Sequence, residues 1–260
     1  MNRPGHTFTP RRLLVAFLLA TGGLAARGQT DEIQVYDAEI AEPGKFNLTV
    51  HNNYIAQGRG TPEFPGGLVP DKSFNGVPEW AYGVTDWFEA GLYLPVYSVS
   101  QGRGLSFDSV KGRTLFVAPH AADRGFFYGI NFEYSYNSKF WEPSRFSSEI
   151  RPIIGWHLKP VDIIVNPILD TAWNGVRQLD FAPATRVACN LSPSWAVAVE
   201  EYADLGPVGH IQRLERESQE LYGVVDYLSK WVKVEFGVGF GFTGGSDRLT
   251  LKLILSRDLN

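Results

Sequence analysis

Cysteine, long apolar runs and basic charge are what this sequence has least of. Cys189 is its only cysteine, so no intramolecular disulfide can form, and its place far from the amino terminus excludes a lipid anchor. Beyond residue 30 no apolar run reaches the ~18 residues that a membrane-spanning helix needs. The net charge is -4, without the basic excess of a nucleic-acid partner. Histidine is sparse as well. His51, His120, His157 and His210 stand apart, with no metal-ligand spacing and no serine–histidine–acid set that the sequence brings together. The run "GVGFG" at 237–241 lies inside a strand pattern and no helix follows it, so it fails the context test for a nucleotide loop. The expectation is a protein with no cofactor, no metal and no catalytic site.

What is present begins with an export signal. Residues 1–28 carry Arg3, Arg11 and Arg12, then the apolar run "LLVAFLLATGGLA", then the small residues Ala25, Ala26 and Gly28. That order reads as a cleaved secretory signal peptide. Residues 29–43 are polar and acidic and read as a periplasmic lead-in.

From residue 44 to 260 a period of two takes over, which is the mark of strands with one apolar face. In "WFEAGLYLPVYS", Phe88, Ala90, Leu92, Leu94 and Val96 share one face, and Glu89, Gly91, Tyr93 and Tyr97 the other. Twelve such stretches follow one another: 44–57, 78–85, 87–99, 110–120, 126–138, 146–159, 161–173, 178–191, 195–206, 218–229, 231–243 and 248–258. The connections alternate between long ones, such as "AQGRGTPEFPGGLVPDKSFNGV" and "QGRGLSFDS", and short ones, such as "TD", "LKP", "SPS" and "SK". An even strand count with alternating connections predicts an all-β, transmembrane up-and-down antiparallel barrel of the outer-membrane type. Trp87, Phe126, Trp195 and Trp231 each follow a short connection and are expected to form an aromatic girdle at the membrane interface.

The face assigned inward mixes glycine with charge. It holds Glu89, Glu133, Glu149, Arg151, Asp162, Asp170, Asp180, Arg186, Glu200, Asp226, Lys233, Glu235 and Lys252. A basic group facing lipid at the midplane costs roughly 2–4 kcal/mol, so these residues are expected to line the lumen. Lys233, Glu235 and Lys252 are expected to form a cross-strand ladder, with Lys252 also beside Asn47, Thr49 or His51 of the first strand. Two roles remain open for the lumen charges: lining a conducting path with a mild preference for cations, or filling and stapling a closed lumen.

The stretch "YGVTDWFEAGLYLPV" resembles a recurrent hairpin of the outer-membrane transporter family associated with the meta-cleavage pathway of phenol degradation. The likeness rests on Tyr82-Gly83-Val84-Thr85-Asp86, Glu89-Ala90-Gly91 and Leu94-Pro95. It implies a Gram-negative outer-membrane barrel that takes up small molecules, in contact with outer-membrane lipid and with the barrel assembly machinery. The chain departs from such barrels in ending "LTLKLILSRDLN", without the aromatic residue that the machinery reads. The functional expectation is a porin-like channel or transporter for a small solute. The alternatives are a structural or adhesive barrel with a plugged lumen and an outer-membrane lipid-modifying enzyme.

Overall fold

The structure, a computed structural model, describes residues 32–211 and 217–260. The signal peptide expected at 1–28 lies outside the described residues. Strand segments run β1 Phe46–Gln57, β2 Phe74–Gly83, β3 Phe88–Ser100, β4 Gly104–Val117, β5 Phe126–Asn137, β6 Phe146–His157, β7 Val161–Asn166 and β8 Leu169–Thr171. They continue as β9 Asp180–Phe181, β10 Ala184–Ser192, β11 Trp195–Asp204, β12 Ser218–Leu228, β13 Lys233–Gly241 and β14 Leu249–Asp258.

Two pairs of segments are single strands with a break. β7 and β8 both pair with β6, and β9 pairs with β8 while β10 pairs with β7. The fourteen segments therefore make twelve staves, all antiparallel to their neighbours. β1 pairs with β14 from Asn47↔Asp258 onward, which closes the sheet. Closure leaves no edge strand with unpaired backbone groups, the condition for a sheet to cross lipid. The even stave count brings the start of β1 and the end of β14 to the rim that carries the short turns.

Alternation sorts the residues as the period of two requires. On β5, Tyr128, Tyr134 and Tyr136 are exposed on the outside, while Phe127, Asn131 and Glu133 are buried inside. The outer wall is a continuous apolar surface of Leu, Val and aromatic side chains.

The structure departs from the sequence reading in three places. β2 begins at Phe74 and β4 at Gly104, earlier than the expected 78 and 110. "FNG" and "GLSFDS" have the composition of turns, yet their backbones are paired by β1 and β3. The connection between β3 and β4 is accordingly a three-residue turn, 101–103, instead of a long loop. It is tightened by Gly102 at φ 80° and Gly104 at φ 72°, a region that favours glycine. Finally, the face pattern slips by one residue in β3. Val96 is fully buried inside the barrel, not on the outer face with Leu92. The ladder skips from Tyr93↔Lys111 to Val96↔Ser109 and from Gly76↔Tyr97 to Glu79↔Tyr93. Pro78 and Pro95, which have no N–H to give, stand in this break.

The assigned facing predicts opposite tolerance to a cation on the two sides of the wall. Leu92 is 42 % exposed on the outer face, whereas Ser135 shares the inner face of β5 with Glu133. In urea titrations of protein refolded into lipid, Leu92→Arg should lower stability by roughly 2–4 kcal/mol. Ser135→Arg should stay within about 1 kcal/mol of the parent. Equal losses, or the reverse order, would contradict the facing.

Candidate functional site

The lumen is organised by three groups of charged residues. In the first, Arg186 of β10 donates to Glu200 of β11 and Asp226 of β12, and reaches Glu235 of β13 at 3.3 Å. Lys252 of β14 donates to Glu200 and, at 2.5 Å, to Glu235. The wall accommodates these long side chains by having glycine next to them. A Cβ on Gly237 would stand 2.8 Å from Lys252, and one on Gly239 would stand 2.3 Å from the Tyr222 ring. In the second group, Arg113 of β4 pairs with Glu79 of β2 and, at 2.5 Å, with Glu89 of β3, and His51 of β1 meets Glu79 at 3.2 Å. In the third, Arg151 of β6 forms a bidentate pair with Glu149 at 2.6 and 2.9 Å.

Each group also holds the chain's own amino-terminal segment. Residues 32–43 are not a free periplasmic lead-in. The described part of that stretch runs through the lumen, because its polar backbone and apolar side chains both find partners there. Lys252 donates to the Ile33 carbonyl at 3.2 Å and Arg151 to the Gln34 carbonyl at 3.1 Å. Ala41 N–H donates to Glu89 at 2.6 Å. Asn166 of β7 binds Tyr36 twice: it accepts from the backbone N–H at 2.7 Å and donates to the carbonyl at 3.0 Å. The Tyr36 hydroxyl meets that of Tyr93 at 2.5 Å, and its ring lies 4.3 Å from the Arg151 guanidinium. Around these contacts Val35, Tyr36 and Ala38 pack with Leu115, Val117, Phe127, Ile153, Ile164 and Ile168. On the short-turn side the segment thus completes a hydrophobic core beside the ionic groups.

On the other side is a polar vestibule of about 350 Å³. Glu32, Ile33 and Gln34 form its floor, and Arg59, Trp141 and Asp247 come from the long connections at its mouth. Asp247 accepts from the Arg59 N–H at 3.0 Å. Burial raises its carboxyl above the ordinary range, and Arg59 pulls it partly back.

Most of the residues expected to line the lumen fall into these groups: Glu89, Glu149, Arg151, Arg186, Glu200, Asp226, Glu235 and Lys252. Glu133 stands outside them, accepts from Asn131 at 2.9 Å and lines the vestibule. Asp170 and Asp180 line the vestibule. Asp162 sits at the short-turn rim, paired with His157 at 2.7 Å. The expected ladder needs two corrections. Lys233 is directed to the rim and pairs with Glu39 of the amino-terminal segment, since it opens β13 and lies beyond the reach of Lys252. Lys252 stands opposite Asn53, not Asn47, Thr49 or His51. Trp87, Phe126, Trp195 and Trp231 are all exposed at the short-turn rim. Three of them contact further rings: Trp87 with Phe116, Phe126 with Trp156 and Trp195 with Tyr227, at centroid distances of 6.1, 5.6 and 4.9 Å. Sequence reasoning missed Glu79, Arg113 and Glu32. The first two share inward parity with Ala81 and Lys111, which was the available signal; their meeting depends on registers that only the closed sheet defines.

No family model and no curated protein matches the chain. Its fold is similar to that of the COG4313 outer membrane channel from Pseudomonas putida F1, with a TM-score of 0.57 at 12% identity over 88% of this chain and 100% of that one. It is also similar to the KdgM porin, with a TM-score of 0.53 at 7% identity over 82% of this chain and 99% of that one. The KdgM porin in complex with disordered oligogalacturonate gives 0.52 at 8% identity, over 82% and 99% of the two chains. At these identities the likeness is one of fold: this chain is a closed, twelve-stave antiparallel β-barrel of the outer-membrane type.

Proposed function

We propose that the protein is a porin-like channel of the bacterial outer membrane that passes small solutes, with its own segment 32–43 as the plug. The apolar outer wall fits a lipid surround, and the rim aromatics fit the membrane interface. Insertion would require the barrel assembly machinery. The fold it shares with outer-membrane channels supports this reading. So does the hairpin resemblance at 82–95, which favours a transporter of small molecules among the channel types.

The observation that carries the proposal is the nature of the plug. A wall built only to be sealed would be expected to fill its lumen with its own side chains. Here the seal is a peptide segment held by non-covalent contacts to three charge groups. Such a segment has a bound state and a displaced state, which gives the lumen a closed and an open form. The same segment also favours a second reading, a structural barrel whose lumen stays closed.

Two measurements separate these readings. In planar bilayers the intact protein should show low conductance, and removal of residues 32–43 should give large, stable openings. Equal conductance from both forms would contradict the plug. Lys252→Ala removes the Ile33 carbonyl's donor and leaves Glu200 and Glu235 with Arg186 between them. Breaking a buried ionic group by deleting one member costs about 3–5 kcal/mol, so its urea midpoint in lipid should fall sharply and its openings should become more frequent. A stability loss under about 1 kcal/mol, the range of exposed pairs, would show that Lys252 does not hold the segment.

A further inference from the structure

The vestibule carries a charge pattern of its own, with carboxylates in excess of basic residues. The strand registers place Glu133 opposite Glu149, Glu149 opposite Asp170, and Asp170 opposite Asp180. Four carboxylates on neighbouring staves thus form one row, and all four line the cavity. Like charges directly opposite each other destabilise a sheet. The cavity as a whole is lined by ten carboxylate residues and three basic ones. A second, independent feature sits on its floor. Glu32 is 6 % exposed, and neither of its carboxylate oxygens accepts a hydrogen bond. Its charge contact is Arg151 at 3.6 Å, a guanidinium whose hydrogen bonds go to Glu149 and the Gln34 carbonyl.

We propose that this vestibule is a binding site for a linear aliphatic polyamine, which would be the solute class of the channel. The inference rests on the channel reading for its role but not for its chemistry. Among the described residues no three ligating side chains are grouped closely enough to share one metal ion. The carboxylates are instead spaced by the stave separation, about 4.8 Å each. Amines joined by short methylene spacers repeat on that scale, so successive ammonium groups would meet successive carboxylates, with Glu32 receiving one from below. Ile33 on the floor, Ile55 and Ile168 in the lining and Trp141 at the mouth offer apolar surface to the methylenes.

The test is calorimetric titration of the full-length protein in lipid with spermidine, at mildly alkaline pH. Saturable binding is expected, weakened at least tenfold by Asp170→Asn and also by Ser135→Lys, which places a competing ammonium in the cavity. Asp170→Asn should at the same time raise the urea midpoint of the ligand-free protein, because it removes a like-charge neighbour. That gain distinguishes a binding carboxylate from a structural one, and it reports on folding independently. Binding that neither variant changes, or that magnesium chloride at equal charge reproduces, would overturn the polyamine site. So would a fall in the midpoint of Asp170→Asn. Spermidine binding by the intact protein, with no openings from the form lacking residues 32–43, would sink the channel reading alone, and openings of that form without spermidine binding to the intact protein would sink this inference alone.

Discussion

The constraint on which the rest depends is closure of the sheet between β1 and β14. A wall with no unpaired edge can face lipid on one side, and the period of two then sends every second residue inward. Leu, Val and aromatic residues take the outer positions. The charges on the inner positions away from the rims are therefore pushed into one narrow space, where desolvation is severe unless each finds a partner. The ionic groups around Arg113, Arg151 and Lys252 are the consequence.

Those groups do more than pair with one another. Each also holds part of residues 32–43, and the Val35–Tyr36–Ala38 side of that segment completes a hydrophobic core that the wall leaves open. A backbone inside a lumen must have its N–H and C=O groups met. Here Glu89, Asn166, Arg151 and Lys252 meet them. The wall and the segment are thus mutually dependent: the segment needs the charges to be buried, and the charges near it need the segment to exclude water. The vestibule is different. Its carboxylates outnumber its cations, and there the electrostatics favours an external cation.

Much of this was legible in the sequence. The alternation from Phe46 to Asp258 reads as twelve staves, with boundaries near those observed except at the starts of β2 and β4, because a half-buried strand writes its two environments into successive residues. The inward glycines were readable for the same reason; Gly237 and Gly239 sit where Lys252 and Tyr222 need the space. The β3 slip at Pro95 was not legible, since a bulge depends on what the partner strands do. The plug was the larger omission. Ile33, Val35, Tyr36 and Ile40 are scattered among acidic residues, a weak local signal. Their partners, such as Asn166 and Ile164, lie more than a hundred residues away. No local period encodes a contact of that kind, and the partner charges were visible only as inward positions without a stated target.

The central claim is that residues 32–43 are bound within the closed barrel and are not a free leader. Amide hydrogen exchange reads this directly, because a backbone N–H held in a buried hydrogen bond exchanges only when its segment opens. With the intact protein in lipid, the Tyr36 and Ala41 amides should exchange slowly, approaching the protection of the wall strands, while Asp37 and Glu42 on the same segment exchange faster. Exchange of Tyr36 and Ala41 at the rate of an unstructured peptide would contradict the account.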